Sequence, residues 1–184
     1  MHRALLAVVL SLSTAGFAAA QDAKAPARKP IVDIKTNVGT FTVELWPDKA
    51  PITVKNFVDY VLEGHYDGTI FQRVVKGFVI QGGNLTPDDQ SKPTRPPIKL
   101  EAKEPNARLT IAMARTPDPN SATDQFYINL ADNKSLDPGV RPPGYAVFGK
   151  VIRGASVVDQ IANQPVNDQR PVTNVIIEKV SFTK

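Results

Sequence analysis

The residues of this chain best equipped for chemistry fall in one stretch, Phe71 to Asn84, which reads FQRVVKGFVIQGGN. It sets one permanent cation, Arg73, beside two aromatics, Phe71 and Phe78, and an amide, Gln81, among β-branched residues. Two β-prone runs meet at Lys76-Gly77, a turn signal. Period-two alternation then places Val79 and Gln81 on one face and Ile80 on the other. An apolar wall carrying single polar groups suits a small binding cleft. The same residues would also build a plain hairpin with a solvated arginine. What the chain lacks narrows the chemistry. There is no cysteine, hence no disulfide, thiolate nucleophile or thiolate metal site. Only His2 and His65 are present, which rules out a histidine-rich metal centre and leaves a Ser-His-Asp triad dependent on His65. No metal is expected. Glu44, Asp132 and Asp137 show no paired-carboxylate spacing, which argues against a hydrolase. Gly82-Gly83 lacks the following lysine of a phosphate loop and reads as a turn. His65 is expected to be a cap or surface group.

The elements that must position these groups follow from periodicity. Residues 31–36 and 40–46 flank Asn37-Val38-Gly39 as a hairpin, with Phe41, Val43 and Leu45 on one face of the second strand and Pro47 ending it. From Pro51 to Gly64 the period changes. Val54, Phe57, Val58, Val61 and Leu62 form a helical stripe, with Pro51 suited to the first turn and Gly64 to the αL position past the end. A proline-rich polar segment follows Asn84 and reads as a long surface loop. Two more loops, Arg115 to Asp124 and Ala131 to Gly144, separate apolar runs at 109–114, 125–130 and 145–152. Ser156 to Asn163 reads as a short helix bounded by Pro165. Val175 to Phe182 reads as a closing strand, with Val175, Ile177 and Lys179 facing one way and Ile176, Glu178 and Val180 the other. Many short strands with two helices point to a mainly β fold, an antiparallel barrel closed on itself with helices over its ends. An open α+β sandwich is the alternative.

The N-terminus is separable from this domain. Met1-His2-Arg3, an apolar run from Ala4 to Leu10, and small residues ending Ala18-Ala19-Ala20 have the order of a secretory signal, cut between Ala20 and Gln21. Residues 21–30 lack large apolar groups and read as a flexible linker. The folded domain is expected over 31–184. The full chain carries a formal charge of +4, and removal of the leader takes away only Arg3. The signs alternate along the sequence without basic–aromatic blocks, so no nucleic acid partner is expected, nor a membrane after the leader is removed.

Three blocks carry a family resemblance. The motif Phe71-x-Arg73-Val74-Val75-x-x-Phe78-Val79-x-Gln81-Gly82-Gly83, then residues 109–115 with 121–128, then Gly144 to Val151, resemble in order and spacing the cyclophilin-type peptidyl-prolyl cis–trans isomerases. With its leader, the chain is similar to the periplasmic members from Gram-negative bacteria. The resemblance implies an eight-stranded antiparallel β-barrel capped by two α-helices, a monomer, and no cofactor. It implies that Arg73 is catalytic and that Phe78, Val79, Tyr127 and Leu136 line a proline pocket with Tyr145 on its rim. Gln81 and Gln125 would hold the substrate backbone and orient the arginine, and Ala114 and Arg115 would form the strand edge that bonds the peptide. Several positions depart from the common pattern, namely Gln72, Val79, Tyr127, Ser135 and Tyr145. Tyr127 brings a hydroxyl that needs a partner if buried. Val79 and Ser135 reduce the apolar area offered to cyclosporin-type cyclic peptides, so those are expected to bind weakly.

The implied partners are proline-containing polypeptides, as unfolded or extended client proteins in the periplasm, and the implied role is assistance of folding. Rotation about X–Pro breaks no bond, so the reaction needs no nucleophile, metal or proton shuttle. Two other functions fit a barrel of this kind. One is a non-catalytic peptide-binding or holdase module that keeps the cleft without turnover. The other is a lipocalin-like barrel, which requires a hollow interior.

Overall fold

The computed structural model describes residues 29–140 and 143–183. The leader and all but the end of the linker expected from the sequence lie outside the described residues. Strands β1 (Ile31–Thr36) and β2 (Gly39–Leu45) form the first hairpin, and helix α1 (Pro51–Leu62) follows. Next come β3 (Thr69–Ile70), β4 (Arg73–Val75), β5 (Val79–Gly82), β6 (Thr110–Met113) and β7 (Phe126–Asn129). A short 3-10 helix (Lys134–Leu136), β8 (Val147–Arg153) and α2 (Ala155–Ala162) lead to the small ribbon β9 (Val166–Asn167) and β10 (Arg170–Pro171). Strand β11 (Ile176–Phe182) ends the fold. Among the described residues no helix is long and apolar enough to cross a membrane.

One curled antiparallel sheet holds nine strands in the order β3-β11-β1-β2-β8-β6-β7-β5-β4. The count is nine where eight were expected, because the run Thr69–Val75 is interrupted. Phe71 leaves the ladder and donates its N–H to Val175 O (2.9 Å). One continuous piece of chain therefore borders both edges of the sheet, pairing with β11 through β3 and with β5 through β4. Gly82 makes this approach possible, since a Cβ there would lie 2.6 Å from Ile70 O. Gly82-Gly83 is thus a close packing point followed by a bend rather than a simple turn.

Alternation along each strand separates two apolar clusters. Phe41, Val43, Leu45, Ile80, Ile111, Ile128 and Phe148 are fully buried inside the curl, so the interior is filled by side chains and is not a ligand chamber. Their neighbours Val79, Ala112, Tyr127 and Val147 point to the outer face and gather with Leu136 into a second cluster.

Two faces differ from the sequence expectation. In α1 the buried positions are Thr53, Val54, Asn56, Phe57, Tyr60 and Val61, while Leu62 is 71% exposed. The helix is rotated because two loops, the long one after Asn84 and Arg115–Asp124, satisfy its polar groups. The Thr53 hydroxyl donates to Glu101 (2.9 Å), Asn56 Nδ2 donates to Thr123 O (2.6 Å), and Tyr60 OH accepts from Arg95 N–H (2.7 Å). Along β11 and the residue before it, the inward positions are Val175, Ile177 and Val180. The register with β1 slips between Lys35 and Thr36, leaving Glu178 as the extra residue, and such a bulge exchanges the faces beyond it.

Candidate active site

The candidate site is a single cross-strand row on the outer face of the sheet. Arg73 on β4 pairs with Gln81 on β5, Gln81 with Tyr127 on β7, Tyr127 with Ala112 on β6, and Ala112 with Val147 on β8. The hairpin loop Lys76-Gly77-Phe78 adds Phe78 above this row, with Gly77 in the left-handed region (φ +72°). The 3-10 helix adds Leu136 to the same cluster.

A pocket of about 170 Å³ opens over the row, lined by Arg73, Phe78, Val79, Gln81, Ala114, Arg115, Tyr127, Leu136 and Tyr145. Pockets for drug-sized ligands run to about 300–1,000 Å³, so this one suits a single ring. Its charged lining residues are both arginines. Nine of the ten residues singled out in the sequence meet here. The tenth, Gln125, lines an adjoining pocket with Thr116, Ser121 and Thr123, sharing Gln81, Ala114 and Arg115 with the first.

The amides carry a fixed polarity. Arg73 Nη1 donates to Gln81 Oε1 (3.4 Å), and Gln81 Nε2 donates to Gln125 Oε1 (3.0 Å). Gln72 Nε2 donates to the same oxygen (2.8 Å), while its own Oε1 is buried without a partner among the described residues. With Gln125 Oε1 taken twice, its Nε2 remains a donor without a partner among the described residues, beside the adjoining pocket.

The peptide-facing edge is narrower than expected. Ala114 N–H is already donated to Gln125 O (2.9 Å). Among the described residues no hydrogen bond reaches Ala114 O or Arg115 N–H, so these two groups are the unpaired ones at this edge. The Arg115 side chain serves the rim. Its Nε and Nη2 donate to Gly144 O (3.1 and 2.7 Å), and its guanidinium lies 4.4 Å from the Tyr145 ring centroid. Tyr145 in turn meets Tyr127 edge-on, ring centroids 5.8 Å apart.

Tyr127 OH finds the partner it requires, donating to Asn106 Oδ1 (2.7 Å) behind the pocket floor. Burial pushes its phenol far above the ordinary range, so it stays a neutral donor. Asn106 is tied to Asp137 through its backbone N–H (2.6 Å), and Asn133 Nδ2 links Asn129 Oδ1 (2.7 Å) with Phe78 O (2.8 Å). This polar layer holds the floor, the 3-10 helix and the Phe78 loop together. Asn106 carried no signal in the sequence, because an asparagine in a long loop looks like any other.

His65 is not a surface group. Its side chain is 8% exposed, and Nε2 lies 2.8 Å from Asp124 Oδ2. Burial pushes the Asp124 carboxyl upward, but hydrogen bonds from His65, Asn84 and Thr123 outweigh it and hold the carboxyl below the usual range. The pair anchors the residue next to Gln125. The Arg73 guanidinium has a second partner, Gln169, whose Oε1 accepts from Arg73 Nε (2.7 Å) across 96 residues of sequence. The turn-like Asn167-Asp168 was its only possible signal.

Comparison with known proteins agrees with this geometry. Residues 31–182 match the family described as cyclophilin type peptidyl-prolyl cis-trans isomerase/CLD. The chain is 47% identical over 175 residues to peptidyl-prolyl cis-trans isomerase A of Dickeya dadantii, covering 94% of this chain and 90% of that one. It is 52% identical over 139 residues to a peptidyl-prolyl cis-trans isomerase of Acinetobacter baylyi, covering 74% of each. A cyclophilin-type isomerase of Cryptosporidium parvum, crystallised in the presence of the dipeptide Ala-Pro, superposes with a TM-score of 0.72 at 26% identity, covering 84% of this chain and 99% of that one. A curled sheet with this row on its outer face is a cyclophilin fold, and the chain belongs to the cyclophilin-type peptidyl-prolyl cis–trans isomerases.

Proposed function

We propose that this isomerase acts on X–Pro bonds in unfolded or extended segments of exported proteins, as a monomer in the periplasm, and thereby assists their folding. The leader's basic, apolar and small-residue order supports the location. The observation that carries the activity is the cross-strand row, which sets Arg73 beside a ring-sized apolar pocket and a peptide-binding edge. The Ala-Pro dipeptide used with the Cryptosporidium parvum relative supports a prolyl occupant.

The planar amide resists rotation by about 18–20 kcal/mol because resonance must be given up. In the twisted transition state the prolyl nitrogen turns pyramidal and regains a lone pair. A donor aimed at that nitrogen binds the transition state more tightly than the ground state, which is the condition for catalysis. Arg73 has donors to spare after its bonds to Gln81 and Gln169, and its planar guanidinium presents them in a rigid fork. The pocket grips the ring, Arg115 N–H and Ala114 O register the backbone, and the carbonyl side turns.

A proline-limited peptide assay on the mature chain tests this reading. Wild type is expected to accelerate the slow phase, and Arg73→Ala to lose about 100-fold in kcat/KM while staying folded, the scale of one lost transition-state donor. Equal rates for the two proteins would remove Arg73 from the chemistry. Peptide binding without acceleration by wild type would establish a holdase instead.

A further inference from the structure

The β9–β10 ribbon has no place in the sheet that carries the site, yet its tip touches the catalytic strand twice. Gln169 O accepts from Val74 N–H (2.6 Å), and Gln169 Oε1 accepts from Arg73 Nε (2.7 Å). The tip is a two-residue turn between the paired Asn167 and Arg170, and both of its residues are left-handed, Asp168 at φ +46° and Gln169 at φ +67°. Turns of this kind favour glycine at the second position, because a Cβ is strained there. A glutamine in that place must be held by its surroundings. Arg170 is ion-paired to Asp89 on the long loop, and Val172 N–H donates to Pro165 O (2.8 Å) at the open end of the ribbon. A strained residue that is over-determined by its neighbours points toward a task for its side chain.

That task is visible in the guanidinium. The Gln81 contact at 3.4 Å is long for an N–H···O bond and alone leaves the group free to pivot. The short Gln169 contact supplies a second fixed point on a different nitrogen, and two points fix a planar fork. The remaining Nη hydrogens make no other hydrogen bond among the described residues, and Arg73 lines the pocket. We propose that Gln169 is a positioning residue for the isomerisation, fixing the plane of Arg73 from the edge of the sheet. The proposal rests on the assignment of Arg73 as the catalytic donor.

The test compares three single variants and one double. Gln169→Met keeps the length and the strained backbone but removes the acceptor, while Gln169→Glu keeps an acceptor at the same reach. Gln169→Met is expected to lower kcat about 5- to 20-fold, with KM changed less than twofold and Tm close to wild type. Gln169→Glu is expected to retain kcat within about threefold. The Arg73 Nε–H resonance should be protected from solvent exchange in wild type and Gln169→Glu and lose that protection in Gln169→Met. In the Arg73→Ala background Gln169→Met should have no further effect. A kcat for Gln169→Met within twofold of wild type, beside a large loss for Arg73→Ala, overturns the positioning role alone. An equal loss in Gln169→Met and Gln169→Glu does the same. No loss in Arg73→Ala overturns both the role and the assignment it rests on.

Discussion

Replacing Tyr127 by phenylalanine isolates the one polar atom in the pocket floor. The hydroxyl is buried and donates to Asn106 Oδ1 at 2.7 Å, and the only other donor to that oxygen among the described residues is Asn129 Nδ2, at 3.4 Å. The change removes one buried hydrogen bond and leaves an acceptor poorly satisfied. A net bond contributes about 0.5–1.5 kcal/mol and a stranded buried acceptor adds to the loss, so Tyr127→Phe should destabilise by about 2 kcal/mol. For a domain of this size that lowers Tm by about 4–8 °C. Unfolding can be followed by the fluorescence of the single tryptophan, Trp46, which packs against the floor cluster. Activity should stay within about threefold of wild type, because the ring remains and the lost hydroxyl faced away from the cleft. A cycle with Asn106→Ala should show a coupling of about 1 kcal/mol. A Tyr127→Phe protein as stable as wild type, or a tenfold loss of activity at unchanged stability, would refute the hydroxyl's role as a structural tie.

Two more predictions concern the frame around the site. The Asp124 carboxyl is held below its unfolded value of about 3.9, so its contribution to stability is full above that pH and is lost as pH falls through the folded value. Tm measured between pH 7 and pH 2 should therefore fall less steeply for Asp124→Asn than for wild type, and parallel curves would contradict this. Gly149 lies where a Cβ would approach Glu44 O to 2.4 Å, between strands that pair on both sides. Gly149→Ala should lower stability by about 3 kcal/mol, seen as a fall of about 6–12 °C in Tm, and a neutral variant would show that the β2–β8 pair can spread.

Much of this molecule is legible from local pattern. The period-two runs around Phe41 and Ile80 separate the two faces of their strands, and Pro51 and Gly64 bracket the first helix. The cleft residues were gathered by the family resemblance, whose motifs lie within short blocks. What escaped were features decided by partners distant in sequence. The stripe of α1 pointed to Leu62, but Glu101, Thr123 and the backbone of Arg95 make Thr53, Asn56 and Tyr60 the better face to bury. The face change at Glu178 depends on a slip against Lys35, which no alternation within β11 reveals. His65, Asn106 and Gln169 are polar residues in loops or turns, and only the folded chain shows what each one meets.

The run Thr69–Val75 also divides one short segment between the two edges of the sheet. Its first half finds its ladder partner in β11, and its second half carries Arg73. Until β11 has docked, the strand of Arg73 is anchored on one side only. Because β3 and β11 lie far apart in sequence, their pairing closes a long loop, and that entropy must be met before the strand of Arg73 is held from both sides.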